Sequence, residues 1–120
     1  MAVALVGLMA SRAAVAEANG NQLLTQCQQA VRAIDNVSKS SDNGVDAGQC
    51  FGVVNGVMFM MDYLSDDLSN DHKACFPKDG ITNWQAVRIV EKFLKENPSV
   101  LHLEGPFLTM AAFHEAYPCK

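Results

Sequence analysis

The sequence predicts an all-α protein, a small disulfide-stapled bundle of about four to five helices. Three observations support this fold class. Apolar residues recur at helical spacing in successive segments, helix start and stop signals separate those segments, and the cysteines number four, which is even. A chain of 120 residues forms a single domain with a core of modest size.

Residues 1–18 have the composition of a secretory signal peptide. An apolar run from Ala2 to Ala10 is followed by small residues that suit cleavage after Ala16 or Ala18. The run is much shorter than the roughly 20 residues that a membrane span needs. We therefore expect export, removal of residues 1–18, and a mature domain of residues 19–120 without a membrane anchor.

The first helix of the mature domain is predicted from a single apolar face. Asn19 or Asn21 can cap its N-terminus. The polar stretch 36–48, rich in Ser, Asp and Gly, follows as a loop. The apolar residues recur every three or four positions along the segment and are Leu23, Leu24, Cys27, Ala30, Val31 and Ile34.

The second helix is predicted to begin at residue 47, because Asp46 and Gln49 have the spacing of a capping box. Gly52 and Gly56 lie one turn apart within it. Since glycine in a helix interior costs about 1 kcal/mol relative to alanine, the pair predicts a close helix crossing as compensation. The apolar face of the helix is formed by Cys50, Val53, Val54, Val57, Met58 and Met61. We interpret the three methionines of this helix as core side chains rather than as a ligand-binding surface. They are Met58, Met60 and Met61.

The third helix is predicted from its boundary signals. Pro77 and Gly80 are typical of a turn. Thr82 and Gln85 have the spacing of a capping box, so the helix begins at residue 83. It ends before the Asn-Pro pair at residues 97–98. Its predicted apolar face comprises Trp84, Val87, Val90, Phe93 and Leu94.

The fourth helix is predicted to begin near Pro106, because proline is favoured in a first turn. It ends before Pro118, which cannot continue a helix. The side chains that this helix is expected to bury are Phe107, Leu108, Met110, Ala111 and Phe113.

Four cysteines in an exported chain are expected to form two disulfides. Four cysteines allow three connectivities. We favour Cys27 with Cys50 and Cys75 with Cys119, because each pair joins cysteines that are neighbours in the predicted sequence of helices and loops. Metal binding is disfavoured, because no two cysteines lie two to four residues apart and the three histidines form no pair at helical spacing. A nucleophilic Cys75 beside His72 is disfavoured because no odd cysteine is left over.

The charge pattern and the motifs exclude several classes of function. The formal net charge is −4, and the nine Lys and Arg residues are scattered, so we expect no nucleic-acid partner. The sequence contains no catalytic triad, paired-carboxylate site or phosphate-binding loop. We therefore expect a binding protein without enzymatic activity and without a cofactor. A periplasmic helical chaperone or a small-ligand carrier is the alternative.

Five short motifs occur in order along the mature chain. They are G-N-x-L-L-x-x-C from Gly20, C-x-G-x-x-x-G from Cys50, C-x-P-x-x-G-I-T-x-x-Q from Cys75, N-P at residues 97–98, and a terminal P-C-K. In this order, and with these four cysteines, the chain resembles the Rap/Tai immunity proteins of bacterial type VI secretion systems. The resemblance spans the whole mature chain.

The resemblance implies a periplasmic, all-helical protein that binds and inhibits a peptidoglycan amidase delivered by sibling cells. The implied effector is a papain-like cysteine peptidase, whose active-site groove the immunity protein occludes. Relatives are often dimeric. Together with the exposed backbone that Gly52 and Gly56 can offer, this favours a two-fold homodimer.

The candidate effector-binding segment follows the second helix, where aspartates are interleaved with apolar side chains. Aspartates can steer a partner, and exposed aromatic or aliphatic side chains can anchor it. A solvated helix end is the alternative interpretation. The loop 38–44 is a competing surface without a large apolar side chain. The predicted contact residues are Asp62, Tyr63, Leu64, Asp66, Asp67, Leu68, Asn70 and Asp71.

Overall fold

The computed structural model describes residues 18–35 and 44–120. In these ranges the chain forms four α-helices, numbered here in chain order: α1 Gly20–Ile34, α2 Gly44–Tyr63, α3 Asn83–Glu96 and α4 Gly105–Ala116. A short 3-10 helix, Pro98–Val100, precedes α4. The predicted all-α bundle is confirmed. Residues 1–17 of the predicted signal peptide and 36–43 of the predicted loop lie outside the described residues.

Helix α1 begins at the predicted cap. The Asn19 side chain accepts a hydrogen bond from the backbone N–H of Gln22, and the Gln22 side chain accepts one from the backbone N–H of Asn19. This reciprocal capping box satisfies two backbone donors that the helix cannot pair internally. At the other end, Asp35 forms a salt bridge with Arg88 of α3. Both ends of α1 are therefore held by specific polar contacts.

Helix α2 begins at Gly44, three residues before the predicted start. Asp46, which we expected as the N-cap, lies in the first turn instead, so the predicted capping box with Gln49 is wrong. A carboxylate in the first turn still interacts favourably with the helix dipole. Gln49 accepts a hydrogen bond from Gln26 Nε2 of α1 at 2.8 Å, which links the two helices.

The boundary signals of α3 are confirmed. The backbone N–H of Gly80 donates to Pro77 O at 2.8 Å, and Gly80 has φ of 74°, a conformation that favours glycine. Thr82 and Gln85 then form the predicted capping box. The helix ends at Glu96, immediately before the Asn-Pro pair.

Three side chains that periodicity places in the core are exposed. They are Trp84 at 55%, Phe107 at 50% and Met60 at 48%. In α2, α3 and α4, neighbouring elements therefore cover less of the helix surface than the apolar sequence pattern predicts. Trp84 packs edge-to-face on Phe51, with ring centroids 5.7 Å apart. The side chains that α4 does bury are Leu108, Thr109, Ala112 and Phe113.

Both predicted disulfides are confirmed. Cys27 and Cys50 are fully buried and join α1 to α2 within the core, with their Cα atoms 5.0 Å apart. Cys75 and Cys119 lie outside the helices, with their Cα atoms 5.2 Å apart, and join the segment before α3 to the C-terminus. The second bond therefore fastens irregular chain to the end of the bundle.

The N-terminus of α1 fits closely against the segment that precedes α4. The backbone N–H of Gly20 donates to Leu103 O at 2.9 Å, and the N–H of Gly105 donates to Ala18 O at 2.6 Å. A Cβ atom at residue 20 would lie only 2.4 Å from Leu108 Cδ1. This close approach is the structural reason for Gly20 in the first sequence motif.

Gly52 and Gly56 serve no close helix crossing among the described residues. A Cβ atom built on either residue meets no described atom within 4 Å beyond its own helix backbone and chain neighbours. Both residues are exposed. The prediction of an internal crossing is therefore wrong, and the glycines leave an open strip of backbone along α2.

Candidate binding surface

We call residues 62–71 the acidic turn. It continues from α2 through backbone hydrogen bonds from Leu64 N–H to Met60 O at 2.9 Å and from Asp67 N–H to Leu64 O at 2.9 Å. Leu68 N–H donates to Leu64 O at 3.2 Å. These bonds hold the segment against the end of α2 as a compact series of turns.

The structure brings the predicted contact residues together at one end of α2, but they differ in exposure. Leu64 and Leu68 are half-buried. Tyr63 is 75% exposed, so its ring is free to contact a partner. Within the described part of the chain, the four aspartates form no salt bridge. The exposed members are Asp62, Tyr63, Asp66, Asp67, Asn70 and Asp71.

The segment that follows the acidic turn is anchored to the C-terminal end of the chain. Besides the disulfide to Cys119, the backbone N–H of Cys75 donates to Tyr117 O at 2.8 Å. The ring of Phe76 lies 5.5 Å from that of Tyr117. These contacts give the acidic turn a fixed attachment on its C-terminal side.

An apolar groove of about 590 Å³ runs between α2 and α4. Gly52 and Gly56 line it on α2, where the missing side chains make room. The half-exposed side chains of Met60 and Phe107 also line it, and Leu64 of the acidic turn extends it. The lining of this groove is almost entirely apolar, so the groove suits an apolar partner surface.

A second groove, also of about 590 Å³, lies on the other side of α2, against residues 76–83. We call it the mixed groove, because its lining combines apolar and polar side chains. Its α2 wall includes Asn55, Phe59 and Asp62. Asp62 therefore belongs both to the acidic turn and to this groove.

The most exposed large apolar side chain of the mixed groove, Phe59, is not among the predicted contact residues. Phe59 is 66% exposed, and its ring stacks on that of Tyr63 with centroids 6.2 Å apart and planes at 10°. The signal was present in the sequence. Phe59 lies outside the predicted apolar face and precedes Tyr63 by four residues, a spacing that places two side chains side by side on a helix.

In residues 18–35 and 44–120, no group of three or more His, Cys, Asp or Glu side chains could hold a metal ion. No helix in those ranges has both the length and the apolar character needed to span a membrane.

The fold and the exposed surfaces define a disulfide-stapled helical protein-binding module. The family model of the Rap1a immunity proteins matches residues 19–119, and the chain belongs to that family. The resemblance noted from the motifs is thereby confirmed. No curated protein and no solved structure matches the chain. Membership makes this chain an immunity protein, and proteins of this family bind a cognate effector protein.

Proposed function

We propose that this immunity protein neutralises a peptidoglycan amidase effector of the type VI secretion system in the periplasm. The effector is a papain-like cysteine peptidase, and the acidic turn occludes its active-site groove. Family membership supports an effector as the partner. The observation that carries the proposal is the clustering of exposed aspartates and Tyr63 at the end of α2.

The two kinds of side chain in the acidic turn have different roles in this proposal. Asp66 and Asp67 are exposed and unpaired in the described ranges, so they accelerate encounter with a basic rim of the effector groove. Tyr63 supplies a large exposed anchor that is desolvated after contact. Leu64 and Leu68 lie where the acidic turn meets the apolar groove. Their half-buried side chains pack the turn against the bundle, and their exposed parts add apolar contact with the effector.

Amidase activity on purified peptidoglycan tests the proposal, with the papain-like amidase encoded beside the gene as the enzyme. We expect the oxidised mature protein to inhibit it. The double variant Asp66→Lys with Asp67→Lys should bind more slowly, since the steering charge is reversed. Glu96→Lys with Glu115→Lys is the matched control, because both glutamates are exposed and lie away from the acidic turn. Absence of inhibition by the wild type overturns the proposal.

We also propose that the protein is a two-fold homodimer joined through the apolar groove. Gly52 and Gly56 let a second helix backbone approach, and Met60 and Phe107 provide side chains that can fill the matching groove of the other copy. The same surface thus carries both the recess at the glycines and the side chains that can fill it. In a two-fold dimer each copy presents this surface to the other, which is the definition of an isologous interface.

Light scattering at micromolar concentration tests the dimer. Gly56→Leu fills the groove and should give a folded monomer, because no described atom opposes a side chain there. Gly48→Leu is the control, since Gly48 is also unopposed on α2 but does not line the groove. A wild-type monomer mass, or a dimer that tolerates Gly56→Leu, contradicts the proposed interface.

A further inference from the structure

The mixed groove is a preformed cleft with two dissimilar walls. One wall is the regular surface of α2, with Asn55, Phe59 and Asp62. The facing wall is the segment 76–83, which includes Phe76 and Lys78. The proline–glycine turn, the disulfide at residue 75 and the ring contacts of Phe76 hold this wall in place. Because both walls are already fixed, binding of a partner in the cleft orders little additional chain of this protein and so costs little conformational entropy.

The rim of the mixed groove carries an aromatic platform. Phe59 and Tyr63 are 66% and 75% exposed, and their rings stack nearly parallel. Pairing the two rings fixes their orientation while leaving their outer surfaces in water. Large, rigid and solvent-exposed aromatic side chains beside a cleft are the side chains that most often anchor protein partners.

The polar groups of the groove require hydrogen-bond donors and positive charge. The side-chain oxygen of Asn55 is buried and has no hydrogen-bond partner among the described residues. An unpaired buried acceptor is unfavourable, and a donor that enters the groove can pair with it after a small rotation of the amide. Asp62 forms no salt bridge in the described ranges and continues into the acidic turn. Asp62 and the acidic turn therefore place carboxylates at this end of the groove, whereas Lys78 lies on the facing wall.

We infer that the mixed groove receives an extended loop of the effector, in which a Lys or Arg side chain adjoins an aromatic or aliphatic one. The basic side chain meets Asp62, the apolar one packs on Phe59 and Tyr63, and the loop backbone donates to Asn55. Lys78 on the facing wall is placed to bond a loop carbonyl. A groove of about 590 Å³ accommodates a few residues of extended chain.

This inference rests on the proposed function and adds a second, reciprocal contact. The acidic turn enters the groove of the effector, while a loop of the effector enters the groove of the immunity protein. A second copy of this chain is the less suitable occupant, because its net charge of −4 opposes the carboxylates of Asp62 and the acidic turn. The apolar groove on the other side of α2 is the surface that suits a second copy.

A random dodecapeptide library displayed on phage tests the groove without reference to any particular effector. Selection on the immobilised, oxidised mature protein should enrich peptides with a basic residue next to an aromatic or aliphatic one. Their affinity should fall at least tenfold in Asp62→Asn and in Tyr63→Ala. Both side chains are exposed, so these variants keep the fold. Met60→Ala is the matched control, because Met60 lines only the apolar groove.

Two outcomes overturn the inference. One is enrichment of no such class of peptide, and the other is a class whose binding survives both Asp62→Asn and Tyr63→Ala. The amidase assay separates this result from failure of the proposed function. An amidase that is inhibited equally by the wild type and by Phe59→Ala with Lys78→Ala, two exposed changes that line the groove outside the acidic turn, leaves the immunity function intact and removes the groove from its mechanism.

Discussion

The ring of Phe76 packs edge-to-face on the ring of Phe113, with centroids 5.5 Å apart and planes at 70°. Phe113 is fully buried in the core, whereas Phe76 belongs to the wall of the mixed groove. Through this pair the groove wall is attached to the hydrophobic core as well as to the C-terminal disulfide. The contact between Phe76 and Phe113 therefore contributes both to the packing of the core and to the position of the groove wall.

Phe76→Ala should lower the free energy of unfolding by about 2–4 kcal/mol, because it removes a half-buried ring and two aromatic contacts. Phe59→Ala is the matched control. Its ring is mostly exposed, so the change should stay within about 0.5 kcal/mol. Urea denaturation of the oxidised proteins, followed by circular dichroism, measures both. Equal effects in the two variants would show that Phe76 does not fasten the wall to the core.

The two disulfides should differ in their reduction by dithiothreitol under native conditions. Thiol–disulfide exchange requires access to a sulfur atom. Cys75 is exposed and Cys119 half-buried, whereas Cys27 and Cys50 have no accessible surface. Brief reduction, alkylation and mass spectrometry should therefore label Cys75 and Cys119 first. Simultaneous labelling of all four cysteines would contradict this order.

Much of the fold was predictable because it depends on local signals. The capping boxes at Asn19 and Thr82, and the Asn-Pro stop after α3, use contacts within a few residues of sequence. The start of α2 was not predictable in this way. Asp46 and Gln49 match a capping box, yet the helix continues to Gly44, and Gln49 bonds with Gln26 of α1, which is distant in the sequence.

The binding surface was predictable only in part. The acidic turn is contiguous in sequence, so its composition reveals it. The grooves bring together residues far apart in the chain, such as Gly56 with Phe107 and Phe59 with Lys78. Periodicity records that a helix face is apolar but not whether a neighbour covers it. For that reason the sequence leaves two interpretations of Gly52 and Gly56 open, a crossing within the chain or a contact with a second copy, and only the described packing removes the first.

The glycines should respond in opposite directions to alanine. Gly20→Ala places a Cβ 2.4 Å from Leu108 Cδ1 and 2.9 Å from the backbone of Leu101, so we expect a loss of about 1–3 kcal/mol in stability. Gly48→Ala lies inside α2 and its Cβ meets no described atom within 4 Å, so the variant should gain up to about 1 kcal/mol in stability. Thermal unfolding measures both. A stable Gly20→Ala protein would show that the contact between α1 and the segment before α4 is looser than described.

Asn55→Ala should increase stability while weakening occupation of the mixed groove. The substitution removes a buried oxygen that has no hydrogen-bond partner in the described ranges, and it introduces a better helix former. We expect the free energy of unfolding to rise by about 1 kcal/mol. The peptides selected by the wild type should bind less tightly, because the acceptor that their backbone uses is gone.

Gln29→Ala separates these two effects. The side-chain oxygen of Gln29 is the other described buried oxygen without a partner, and it lies on α1, outside both grooves. Its removal should also raise stability, by a smaller amount since glutamine is a good helix former, and should leave peptide affinity unchanged. Parallel urea denaturation and peptide titrations compare the two variants. A loss of affinity in both would mean that the effect arises from the fold, whereas a loss confined to Asn55→Ala assigns the acceptor to the groove.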